Sequence, residues 1–138
     1  MPTKYPEAVL RSALVGSTAV TSLVGARIYP LLAPSSATLP FVTWRRSGIT
    51  REQTLGAPMG VPRVSVEYSI YGGTYEQARD VADSMRLVLD GYGGTVDNTQ
   101  IRQASLENES DDFVELAGAE VPPVYQITQT YDIWWQET

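Results

Sequence analysis

The sequence predicts an α+β domain: one antiparallel sheet of about four strands with helices packed on one face. Three observations carry this. Residues 63–71 alternate strictly, with Val64, Val66, Tyr68 and Ile70 against Arg63, Ser65, Glu67, Ser69 and Tyr71, which is a half-buried strand. Residues 75–90 instead place Tyr75, Ala78, Val81, Ala82, Met85, Val88 and Leu89 at three- and four-residue spacing, one apolar helix stripe. Strand candidates also come in consecutive pairs, giving the order α-α-β-β-α-β-β over one domain, residues 1–138.

The elements follow in chain order. Pro6 suits a first helical turn, and Ala8, Val9, Leu10, Ala13 and Leu14 form an apolar face that Gly16 ends. Ser17 and Thr18 offer a cap for a second short helix through Ala19, Val20, Leu23 and Val24, stopped by Gly25. Residues 26–40 read as an anchored loop, because Pro30, Pro34 and Pro40 forbid a helix there. Phe41 to Arg51 is rich in β-branched and aromatic residues and reads as the first strand. Gly56, Pro58, Gly60 and Pro62 make residues 52–62 turn-like.

After the 63–71 strand, Gly72-Gly73 breaks the pattern, and Thr74 with Gln77 forms a capping box that opens helix 75–90. Gly91 closes the helix and residues 92–98 read as a turn. A weaker strand is expected at 99–107, then a turn at Asp111-Asp112 and a broken strand from Val114 to Leu116. The last strand follows Pro122-Pro123. It sets Tyr125, Ile127, Tyr131, Ile133 and Trp135 on one face and Val124, Gln126, Thr128, Thr130, Asp132 and Trp134 on the other.

Composition excludes whole classes of chemistry. There is no Cys and no His among the 138 residues, so disulfides, thiolate-bound metals and the usual Ser-His-Asp triad are ruled out. Lys4 is the single lysine and lies beside the N-terminus. Catalysis would have to come from carboxylate, Lys, Tyr or Arg chemistry, and no cofactor is expected. The net charge of −6 argues against a general nucleic-acid binder. The first thirty residues are too polar for a membrane helix or a signal peptide, so no membrane partner is expected.

Two charged groups and several apolar residues stand out. Glu107, Glu109, Asp111, Asp112, Glu115 and Glu120 crowd into fourteen residues without a cation. They form either a solvated acidic hairpin loop or a surface that docks a basic partner and repels phosphate. A site for Ca²⁺ or Mg²⁺, or an acid–base pair, is the third reading, and the run has neither EF-hand spacing nor a Gly at the needed turn. Arg45, Arg46, Arg51 and Arg63 would cluster in a two-strand hairpin. Given the acidic balance, pairing with local Glu52 and Glu67 or with a neighbouring subunit is preferred to phosphate contact. Leu55 and Met59 in the loop, and Leu87 opposite the helix stripe, suggest a subunit interface together with Arg79 and Arg86. Gly72-Gly73 lacks any phosphate-loop partner residues and reads as a plain strand-to-helix turn.

A resemblance extends over most of the chain. It begins with Ser22-Leu23-Val24-Gly25-Ala26-Arg27-Ile28-Tyr29-Pro30, Ala33-Pro34 and Leu39-Pro40-Phe41-Val42. It continues with Val64-Ser65-Val66-Glu67-Tyr68, Tyr71, Thr74-Tyr75, Ala78-Arg79, Leu89-Asp90-Gly91 and Tyr131-Asp132-Ile133-Trp134. These residues resemble the tail completion or tail terminator proteins of long-tailed phages. The resemblance implies a non-catalytic virion protein that forms a hexameric ring on the head-proximal end of the tail tube. Its implied partners are further copies of itself, the tail tube protein and the head-tail connector protein, with DNA passing through the lumen. The acidic run could then face the lumen, and Arg45–Arg63 and the outer face of helix 75–90 could join neighbours. Other readings of the residues stay open: another connector ring component, a dimeric binding module, or a hydrolase using Asp111 and Glu115.

Overall fold

The computed structural model describes residues 6–25, 27–31, 38–50, 53–54, 57–58, 63–96, 99–114 and 124–137. Three helices are present, α1 (Pro6–Val15), α2 (Thr18–Val24) and α3 (Tyr75–Leu89). The strands are β1 (Ile28–Pro30), β2 (Phe41–Thr50), β3 (Gln53–Thr54), β4 (Ala57–Pro58), β5 (Arg63–Gly72), β6 (Gly94–Val96), β7 (Thr99–Val114) and β8 (Val124–Glu137). The main sheet runs β1-β2-β5-β8-β7-β6, and β3–β4 is a separate small hairpin.

The α+β class holds, but the strand count and order differ from expectation. The sheet has six strands rather than about four, and it is mixed, because β1 lies parallel to β2. The two additional strands, β1 and β6, are three residues long and sit at the sheet margins. Such short segments show too few alternations to register as strands, and β1 ends in Pro30. The anchored loop 26–40 therefore contributes a strand, as does the turn at 92–98.

One face of the sheet carries the core. Val64, Val66, Tyr68 and Ile70 of β5 and Ile127, Tyr131, Ile133 and Trp135 of β8 are buried with Val42, Ile101 and Ala104. They pack with Val9, Leu10 and Leu14 of α1, Val20 and Val24 of α2, and Ala78, Val81, Ala82, Met85 and Leu89 of α3. Burying such side chains stabilises by about 1.5–3 kcal/mol each, which is why the two strict periodicities in the sequence were decisive. The adjacent tryptophans split as alternation requires: Trp135 is buried and Trp134 half-buried on the opposite face.

The join between β5 and α3 is close. A Cβ on Gly72 would lie 2.8 Å from the Ala78 backbone nitrogen, so only glycine lets the strand end touch the first helical turn. The capping box forms as predicted: the Thr74 hydroxyl accepts from the Gln77 N–H at 3.1 Å. The Gln77 side chain in turn accepts from the Gly73 N–H at 2.8 Å. That N–H is therefore spent within the turn.

Candidate functional site

The acidic run is where sequence and structure part most clearly. Residues 107–112 are not a loop, and Asp111-Asp112 is not a turn. β7 continues through them to Val114, with Asp111 opposite Ile127 and Asp112 opposite Gln126. Asp, Glu and Asn disfavour strands, but β8 offers a full partner ladder and α3 supplies partners for the side chains that point inward. The expected strand from Val114 to Leu116 is instead the end of β7, with Glu115 and Leu116 outside the described residues.

Strand alternation sorts the carboxylates by face. Glu109 and Asp111 turn toward α3. The Arg79 guanidinium donates to Glu109 at 2.9 Å and also pairs with Asp83 at 3.6 Å. These two anions, Asp83 first, hold the Arg79 pKa above its usual value. The Tyr75 hydroxyl donates to Asp111 at 2.9 Å, and that hydrogen bond is the chief cause raising the phenol pKa. Tyr75, expected in the buried stripe, is 42% exposed; it lies in the first turn, above the carboxylate rather than in the core. Glu107 and Asp112 remain exposed.

Beneath this pair lies a buried polar hub. Gln129 sits in the middle of the buried face of β8 and is fully buried. Its amide NH2 donates to the Ala82 carbonyl at 3.0 Å and to Glu109 at 2.6 Å, while its oxygen accepts from the Tyr131 hydroxyl at 3.0 Å. Sequence reasoning passed over Gln129, although its position between Ile127 and Tyr131 already put it on the inward face. Desolvation is the main cause that pushes the Tyr131 pKa up, so the phenol stays a donor at neutral pH.

The arginine group is distributed rather than gathered. Arg45 pairs with Glu67 at 3.4 Å, as the sequence suggested. Arg63 pairs with Asp132 at 3.8 Å, and Asp132 also accepts from the Ser65 hydroxyl at 2.6 Å. Arg46 is exposed on β2, next to the bulge before Gly48. Arg86 is exposed on α3, and Leu87 is 76% exposed. Arg51, Leu55, Met59, Glu115 and Glu120 lie outside the described residues.

Among the described residues no group of three or more acidic side chains is arranged to hold a metal ion. Asp111 is bound to Tyr75 and faces a helix, not a cleft. A depression of about 400 Å³ lies over Arg102, Gln103, Ser105 and Trp134 on the β7–β8 surface. Among the described residues its lining holds no carboxylate pair for acid–base work.

Residues 8–136 match the family model described as Tail completion protein gp17. The chain belongs to this family. As a tail completion protein it is a structural component of the virion tail. Its fold is also similar to that of a chain in the virion of a native gene transfer agent particle. The TM-score is 0.75 at 11% identity, covering 96% of this chain and 99% of that one. Curated proteins give no significant match. No described helix of this tail completion protein is long and apolar enough to cross a membrane.

Proposed function

We propose that this tail completion protein ends the tail tube: it caps the head-proximal end as a ring, hexameric by the resemblance, and presents a surface to the head connector. The family match over residues 8–136 carries the reading. The near-complete overlap of its fold with a chain of a virion particle supports it. So does the chemistry. Among the described residues Arg45, Arg63 and Arg79 pair with Glu67, Asp132 and Glu109 across strands and helix, which suits a structural protein. In this reading DNA passes through the lumen without specific binding, consistent with a chain of net charge −6. Of the acidic run proposed to face that lumen, Glu109 and Asp111 bond to α3, while Glu107 and Asp112 are exposed.

Native mass spectrometry of the purified chain across a concentration series, with and without tail tubes, tests the reading. The expected result is a species near six times 15.1 kDa, alone or at the tube end. A chain that never binds tail tubes would overturn the capping role.

A further inference from the structure

Among the described residues, three buried polar atoms without a hydrogen-bond partner gather around one side chain. They are the Tyr68 hydroxyl, the Trp44 indole Nε1 and the Glu7 carboxylate Oε2. Trp44 of β2 lies directly opposite Tyr68 of β5 in the antiparallel register. Both side chains turn to the helical side of the sheet: Tyr68 is 1% exposed, and Trp44 packs against the core. Directly opposite residues hold their Cβ atoms about 4.5–5.5 Å apart, so the two rings are immediate neighbours. Glu7 comes to them from the first turn of α1. Burial first, then Tyr131 and Glu7, raises the Tyr68 pKa, so the Glu7 charge is felt at this phenol.

The neighbouring side chains are already committed. Tyr131 packs edge-on against Tyr68, ring centroids 5.7 Å apart, but its hydroxyl donates to Gln129. The Gln129 amide is in turn filled by Ala82 and Glu109. Arg11, one turn after Glu7, gives its Nε to the Ile28 carbonyl. Leaving each of the three atoms bare would lower the folding equilibrium constant by about tenfold.

What the three atoms need defines what fits between them. An indole N–H only donates, a carboxylate only accepts, and a phenol does either. A cation would meet the positive end of the Trp44 N–H, and an anion would meet Glu7. A neutral molecule satisfies the set if it has a lone pair for Trp44, an O–H for Glu7 and a third bond for Tyr68. Water has these groups, and about three bonds to polar partners is usual for a buried water.

We propose that a single internal water sits between Glu7, Trp44 and Tyr68. It accepts from the Trp44 indole, donates to the Glu7 carboxylate and bonds the Tyr68 hydroxyl, tying the first turn of α1 to the β2–β5 pair. Elsewhere in the helical layer α3 reaches the sheet directly, through Arg79, Tyr75 and the Ala82 carbonyl. The site is separate from the capping role and does not depend on it.

Water-selective NMR on the isotope-labelled full chain tests this. The chain has three tryptophans, and the Trp44 indole is assigned through its own bonds. Its N–H proton is expected to give a direct NOE to water, with the sign of a molecule that tumbles with the protein. Tyr68→Phe controls for a phenol proton that exchanges with solvent: the water keeps two partners, so the cross peak should persist. The same variant should lower the folding equilibrium constant by about two- to tenfold through the lost bond. Three results overturn the site: no cross peak in wild type, a cross peak that disappears in Tyr68→Phe, or a Tyr68→Phe variant more stable than wild type.

Discussion

Replacing Gln129 by Leu should be among the most damaging single changes to the fold. The residue is fully buried and its side-chain amide makes three hydrogen bonds, to Ala82, Glu109 and Tyr131. Its orientation is set by its neighbours: two acceptors face the NH2 group and a hydroxyl faces the oxygen. The bond to the Glu109 carboxylate is charge-assisted, worth about 1.5–3 kcal/mol, and each neutral bond about 0.5–1.5 kcal/mol. Leucine is close in volume and returns about 1–2 kcal/mol through its apolar surface. The net expectation for Gln129→Leu is a loss of about 2–4 kcal/mol, part of it from the Tyr131 hydroxyl left buried without an acceptor. Urea unfolding with an unchanged slope measures it. Tyr131→Phe in the Gln129→Leu background should then recover about 1 kcal/mol, a coupling a double-mutant cycle isolates. A Gln129→Leu variant within about 0.5 kcal/mol of wild type would refute the reasoning, showing that the hub contributes no net stability.

Three further predictions follow from other parts of the fold. The Tyr68 hydroxyl is buried without a hydrogen-bond partner among the described residues; bonded to the internal water, it should make Tyr68→Phe cost about 0.5–1.5 kcal/mol in thermal or urea unfolding, and a comparable gain would show that the hydroxyl is unpaired. Gly72→Ala forces a methyl against the Ala78 backbone and should cost about 1–3 kcal/mol, and a neutral result by the same assay would mean that the β5–α3 join yields. Tyr75 has its pKa raised chiefly by the hydrogen bond to Asp111. A folded pKa above the unfolded one means that the bond contributes below the ordinary phenol pKa and is lost as pH rises through the folded value. Asp111→Asn should therefore move the Tyr75 titration, followed by tyrosinate absorbance and assigned with Tyr75→Phe, toward lower pH; an unmoved curve argues against the contact.

What could be read directly from residue order was whatever rests on short-range periodicity. The stripe of α3, the alternation of β5, the Thr74–Gln77 box and the split of Trp134 from Trp135 each follow from the 3.6- and two-residue periods. The absence of His and Cys, and the excess of acid over base, narrow the chemistry without any coordinates. Tertiary structure decided the rest. β1 and β6 exist because longer strands offer them an edge, not because three residues favour extension. β7 runs on through Asp111 and Asp112 because β8 pairs with each residue, while Tyr75 and Arg79 satisfy the carboxylates turned inward. Gln129 is buried because three partners from α3, β7 and β8 converge on it. Local pattern specifies which face a side chain takes, whereas the partner it meets there depends on pairing between segments far apart in the chain.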